Sequence, residues 1–198
     1  MAVICWKSPM KDENPIKLVQ MKRFGDSRGW FTEVYNENTF DLLGITCRFV
    51  QDNHSYSQPA FTVRGLHLQA PPAGQDKLVR CTRGSIFDVA VDIRKGSPTY
   101  GKWVGRELSA QNGEQLFVPV GFLHGFVTLE PDCEVMYKCS ALYSPAHEMG
   151  IRWDDPQIGI VWPIRGTPLL STKDTALPPL AEFESPYDYD GRPLLPLE

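Results

Sequence analysis

His67 and Lys77 stand ten residues apart in the stretch 61–94, FTVRGLHLQAPPAGQDKLVRCTRGSIFDVAVDIR, which also carries Arg64, Arg80, Asp88 and Asp92. Most of this stretch reads as strand, and a charged side chain is expensive to bury in a strand unless it is paired. The cluster is therefore either a satisfied network or a site for something negative. An imidazole there can serve as a base, and a lysine turned inward suits a developing oxyanion. The plainer readings stay open: a structural histidine, and strand-edge charges for Lys77 and Arg80. Asp88 and Asp92 alternate onto one strand face and are expected to be structural partners of these cations.

Three residues further along extend the chemistry. Tyr137 sits between Met136 and Lys138; it is either core or, with its hydroxyl free in a pocket, an acid. His124, in PVGFLHGF, is either a turn histidine or a second imidazole facing His67. Two histidines on neighbouring strands could hold a metal, but a metal cupin needs an HxH pair. The position two after His67 is Gln69, so no catalytic metal is expected. Asp174 closes the run Ser171-Thr-Lys-Asp174. That run fits a capping box, and the same carboxylate could instead orient a histidine. Strict alternation turns Arg64 and His67 to opposite faces, so a shared site requires a bulge, for which Gly65 is the natural place.

The elements that must position these groups are short. A strand is expected over 16–21, then a turn at 25–29 leading into an aromatic strand over 30–35, a short helix over 36–43 stopped by Gly44, and a strand over 46–53. A polar loop follows over 54–60. Alternation is clearest over 86–93, with Phe87, Val89, Val91 and Ile93 on one face and Ile86, Asp88, Ala90 and Asp92 on the other. Arg83-Gly84 before it reads as a hairpin turn, as does Glu130-Pro131-Asp132 between strands over 121–129 and 133–143. Strands are also expected over 104–108, 115–118 and 158–162. With about ten short strands and little helix, the expected class is all-β, a barrel or jelly roll. One domain over 1–180 with a proline-rich tail over 181–198 is the expected organisation.

The chain has 198 residues, enough for one domain with a core, and a net charge of −4, which argues against general nucleic-acid binding. Five cysteines without a CxxC spacing give neither a zinc knuckle nor a disulfide framework. Buried thiols in a reducing cytoplasm are the simpler reading. The opening MAVICWKSPM lacks a signal-peptide pattern, and no apolar run reaches the length of a membrane span.

Taken together, FGDSRGWFTE, FVQDNHS, VRGLHLQ, DKLVRCTRGSIFDVAVDIRKGSPTYG, FVPVGFLHGFVTL, YKCSALYSP, WDDP, IVWP and STKD resemble the dTDP-4-dehydrorhamnose 3,5-epimerase family. They span residues 23–175 in the family's order, which is far more specific than any single motif. The resemblance implies a cupin-like jelly-roll barrel, a homodimer working without metal or cofactor on a dTDP-4-keto-6-deoxyhexose, inverted at C3 and C5. It implies His67 as base with Asp174 as its orienting partner, Lys77 as the enolate-stabilising cation, and Tyr137 as the acid on the opposite side. His124 and Arg64 would bind substrate; Arg28, Glu33, Gln51 and Asn53 would hold the nucleotide; Glu148 and Lys173 fall on family binding positions. Trp30 or Phe31 could stack near the thymine. The proline-rich loop over 69–74 and the tail depart from the family pattern. The rivals are a relative that inverts only C3 or only C5, and a sugar-binding cupin without turnover, which would need neither base nor acid.

Overall fold

The computed structural model describes residues 14–197; the opening segment 1–10 and Cys5 lie outside the described residues. Two five-stranded antiparallel sheets face one another. One runs, in spatial order, β1 (Lys17–Gln20), β9 (Glu114–Val118), β6 (Lys77–Arg83), β11 (Cys133–Cys139) and β4 (Gln51–Ser57). The other runs β12 (Glu148–Gly150), β5 (Val63–Gln69), β10 (Phe122–Thr128), β7 (Ser85–Asp92) and β8 (Trp103–Ser109). A separate two-stranded ribbon pairs β2 (Phe24–Asp26) with β3 (Gly29–Phe31). This is the all-β jelly roll expected from the strand spacing, although neither sheet closes on itself.

From β4 to β12 the chain changes sheet at every connection except β7 to β8. Three expectations are corrected by that rule. The runs on either side of the 70–74 loop, which the sequence suggests fold back on one another as a strand pair, lie in different sheets as β5 and β6. Arg83-Gly84 and Glu130-Pro131-Asp132 are crossings between sheets, not hairpin turns. Gly84 and Asp132 do adopt positive φ (76° and 58°), but a tight turn serves a crossing as well as a hairpin, and local sequence does not distinguish them.

The alternation in β7 is borne out, with both faces buried. Ile86 and Ala90 join the core between the sheets, together with Val79, Leu116, Phe122, Phe126 and Val135. Val89, Val91 and Ile93 join a second cluster with Leu66, Leu68, Leu123, Ile151, Ile158 and Phe183, where the downstream chain covers the outer face of that sheet. A third cluster forms under α1 (Glu37–Asp41), whose Phe40 meets Val19, Leu78 and Phe117 on the other sheet. Asn36 caps α1 by accepting from the Thr39 amide, and Gly44 (φ +74°) ends the excursion.

Three element boundaries moved. The strand expected over 46–53 is β4, which starts five residues later and ends four later, and about half of the supposed polar loop is in it. Its alternation is polar on both faces, with Asp52, His54 and Tyr56 exposed and Asn53 and Ser55 turned inward, so apolar periodicity could not reveal it. The segment 158–162 makes no ladder: Ile158 is buried and Ile160 and Trp162 lie on the outer face. The aromatic strand over 30–35 shrinks to β3. Asp88 and Asp92 are structural, but their partners are His124 and Arg94 rather than Lys77 and Arg80. Arg94, nearly inaccessible, is held by Asp92 (2.7 Å) and Asp190 (2.7 Å), while Ser97 and Thr99 also donate to Asp92. Beyond Leu180, Phe183 and Leu194 are buried against the sandwich. Among the described residues no helix is long and apolar enough to cross a membrane.

Candidate active site

The site begins with a break in register. His124 and Phe126 of β10, two residues apart and hence on one face, pair with His67 and Arg64, which are three apart. β5 therefore carries one extra residue, and the bulge turns Arg64 and His67 to the same side. Gly65 supplies it, with φ +124°, and only glycine fits there: an added Cβ would lie 2.6 Å from Gly125 Cα and 2.9 Å from the His124 carbonyl oxygen. Leu66 and Leu68 belong to the outer cluster, so His67 looks inward, between the sheets.

Next to β5 the chain returns at Leu169, which exchanges backbone hydrogen bonds with Phe61 and Val63. This docks α2 (Thr172–Thr175) at the mouth, with Ser171 accepting from the Asp174 amide as its cap. The Asp174 carboxylate meets His67 Nε2 at 2.5 Å. The two sequence readings of Asp174 are thus compatible, because the backbone serves the cap and the carboxylate serves the histidine. Burial pushes the Asp174 carboxyl upward, but the His67 contact, the Ser171 hydroxyl and Lys173 outweigh it and leave the acid below its usual range. An ionised carboxylate accepts the Nε2 proton and leaves Nδ1 as the ring's acceptor. No described residue hydrogen-bonds Nδ1.

Across the gap, β6 and β11 present Lys77 and Tyr137. Cys139 pairs with Lys77 and Tyr137 with Val79, so the four share a face, and Val79 lies in the inter-sheet core. On β4, Asn53 is opposite Tyr137 and Gln51 opposite Cys139. Burial lowers the proton affinity of the Lys77 amine, against the opposing pull of Cys139, Asp88 and Glu148. Burial raises that of the Tyr137 hydroxyl, keeping it a proton carrier at neutral pH. An imidazole on one sheet thus faces an amine and a phenol on the other.

Two cavities meet here. One, of about 380 Å³, is polar, walled by Gln51, Asn53, Gln69, Gln75, Tyr143 and Glu148. The second, of about 480 Å³, is lined by Ser55, Arg64, His124, Lys173 and Asp174 with the apolar Val63, Phe126, Leu169 and Leu170. His67, Lys77 and Tyr137 line both. They are the junction.

His124 is fixed by Asp88, which meets its Nε2 at 2.8 Å. Arg64 donates to the Ser57 hydroxyl and the Tyr56 carbonyl. Glu148 is paired with Lys173 and accepts from Tyr143 at 2.6 Å, a bridge from one cavity rim to the other. Arg28 and Glu33 line neither cavity. Arg28 is on the exposed β2–β3 ribbon, bound to Asp26, and Trp30 and Phe31 are exposed beside it, away from both cavity walls. Besides Tyr137, the polar cavity is lined by a second tyrosine, Tyr143, which with Gln69 and Gln75 was not singled out from the sequence. The signal available was Tyr143's place six residues after Tyr137 in a polar loop. Among the described residues no three His, Cys, Asp or Glu side chains converge to hold a metal.

The strand order makes the chain a cupin-type jelly roll, and known structures agree. The TM-score is 0.83 to a dTDP-4-dehydrorhamnose 3,5-epimerase from Bacillus anthracis with TDP and pyrophosphate bound, at 47% identity over 91% of this chain and 100% of that one. It is also 0.83 to an enzyme from Legionella pneumophila in complex with dTDP-4-keto-L-rhamnose, at 46% identity over 86% and 90%. A Sinorhizobium fredii dTDP-4-dehydrorhamnose 3,5-epimerase is 53% identical over 88% of this chain and 89% of its own. Residues 14–182 match the family model described as dTDP-4-dehydrorhamnose 3,5-epimerase. The chain belongs to that family.

Proposed function

We propose that the protein inverts C3 and C5 of a dTDP-4-keto-6-deoxyhexose by removing and returning protons on opposite faces of the sugar. Both carbons flank the C4 ketone, so loss of a proton from either leaves an enolate whose charge rests on the C4 oxygen. His67 Nδ1 takes the proton while Asp174 stabilises the imidazolium that forms. Lys77 steadies the C4 oxyanion in a poorly hydrated setting where a cation counts for more. Tyr137, from the opposing sheet, returns a proton to the other face. The observation that carries this reading is the meeting of His67, Lys77 and Tyr137 at the junction of the two cavities, with a carboxylate behind the histidine.

The ring fits at the junction, and the apolar wall of Val63, Phe126, Leu169 and Leu170 suits the C6 methyl. Arg64 and His124 contact sugar or diphosphate, and Glu148 and Lys173 close the rim. Gln51 and Asn53 offer amides to the nucleotide, and Tyr143 offers it an aromatic face. Arg28 and Glu33 fit a nucleotide role if the protein is a homodimer in which the ribbon of one copy reaches the cleft of the other. The protonated free thiols Cys81, Cys133 and Cys139 suit a reducing cytoplasm. The chemistry itself calls for no metal or cofactor.

Incubation with dTDP-4-keto-6-deoxyglucose in heavy water, followed by NMR, tests the reading. Deuterium at C3 and C5 is the expected result. Exchange at one carbon only would replace it with a mono-epimerase, and binding without exchange would leave a sugar-binding module.

A further inference from the structure

The polar cavity has a rim built from two loops, and one side chain ties them together. Gln69, buried at the end of β5, donates to the carbonyls of Ala73 (2.6 Å) and Leu142 (3.2 Å) and accepts from the Ser144 amide (2.7 Å). It thereby joins the 70–76 loop, which carries Gln75, to the 140–144 loop, which carries Tyr143. Gln75 adds a second link by donating to the Ala141 carbonyl at 2.7 Å.

The Gln69 backbone is held from outside the family match, which ends at residue 182. Tyr187 donates its hydroxyl to the Gln69 carbonyl at 2.6 Å. Its ring fills the hollow over Gly74 and Val120, where a Cβ on Gly74 would collide with the phenolic oxygen. The tail is pinned on both sides of Tyr187. Upstream, Phe183 is buried in the outer cluster. Downstream, Lys95 and Tyr187 to Tyr189 exchange backbone hydrogen bonds, Asp190 grips Arg94, and Leu194 enters the inter-sheet core. Burial and nearby Asp76 push the Tyr187 hydroxyl up to about 12, so it remains a donor across the working pH range.

We propose that the C-terminal segment sets the geometry of the polar cavity through Tyr187, a positioning residue for the nucleotide end of the substrate. Tyr187 touches neither cavity and acts through Gln69 on Gln75 and Tyr143. The inference rests on the assignment of that cavity to the nucleotide.

The test is Tyr187→Phe, which keeps the ring in its hollow and removes only the hydroxyl. Loss of one neutral hydrogen bond predicts that KM for the dTDP-sugar and Kd for dTDP both rise about three- to tenfold, with kcat unchanged. Gly74→Ala, whose backbone has no positive φ to forbid it, should give the same signature by pushing against the hydroxyl. In the Tyr187→Phe background Gly74→Ala should add much less, because the one severe clash is gone and only the tight contact with Val120 Cγ1 at 3.1 Å remains. A lowered Tm with KM and Kd unchanged, or a fall in kcat at constant KM, would overturn the proposal. Wild-type protein that fails to bind dTDP would overturn the reading of the cavity and this inference with it.

Discussion

Asp174→Asn changes a charge and almost nothing else. The carboxylate is nearly buried, 2.5 Å from His67 Nε2, and the cap on α2 uses the Asp174 amide rather than its side chain, so the helix start survives. The variant loses a charge-assisted hydrogen bond, worth about 1.5–3 kcal/mol, at the step where the imidazolium forms. At about 1.36 kcal/mol per decade this predicts a fall of about 10- to 150-fold in the rate of proton removal. If the new amide turns its NH₂ toward Nε2, the ring is forced into the tautomer with Nδ1 protonated and the loss is larger. The assay is deuterium wash-in at C3 under single-turnover conditions, alongside the Kd for dTDP. That Kd should hold, since Asp174 lines the other cavity, not the one walled by Gln51, Asn53 and Tyr143. Exchange within threefold of wild type would refute the assignment of His67 as the base held by Asp174.

Tyr137→Phe should retain deuterium exchange on the His67 face while inversion falls at least about 100-fold, the low end of what a positioned acid contributes; full inversion measured by NMR of the product would remove Tyr137 from the mechanism. Gly65→Ala places a methyl against Gly125 at a φ of +124°, so Tm should drop by the equivalent of about 2 kcal/mol or more and exchange should fall with it; a fully active, equally stable variant would mean that the bulge is not needed. Asp92→Ala leaves the buried Arg94 guanidinium with Asp190 as its remaining carboxylate partner and should cost about 3 kcal/mol, the low end for breaking a buried pair, in a denaturant titration. Although burial raises the Asp92 acid, Arg94, Ser97 and Thr99 bring it below its usual range. Its stabilisation is therefore present above about pH 4 and is lost as pH falls through the depressed folded value. The variant should have a shallower acid-unfolding limb, and an unchanged limb would argue against this pair as an acid-labile element.

What the sequence disclosed follows from physical scale. The β7 alternation was legible because burial on both faces left a period of two in eight consecutive residues. The need for a bulge between Arg64 and His67 was legible because a three-residue spacing in a regular strand puts them on opposite faces, with Gly65 between them as the place to break the alternation, and the register shift supplies it. β4 was misplaced because a strand polar on the solvent side and polar on the cavity side has no hydrophobic period. The crossings at Gly84 and Asp132 were taken for hairpins because sheet membership depends on long-range pairing that a turn does not encode. Asp88 was paired with the wrong partner for the same reason: His124 is 36 residues away in sequence and adjacent only once β10 lies against β7. The Arg28 and Glu33 assignments came from resemblance alone, and a single copy of the chain does not bring either residue to the cavity walls.

The junction shared by the two cavities has a consequence for how such an enzyme can diversify. On the proposed mechanism the residues that move protons are common to both compartments, whereas Gln51, Gln75 and Tyr143 belong to one and Val63, Phe126 and Leu170 to the other. Substitutions on one wall can retune which carrier is accepted, and on the other which sugar substituents fit, while the reacting groups stay in place. Handle and hexose are then nearly independent coordinates, and laboratory evolution of a new donor should concentrate its early changes on a single wall.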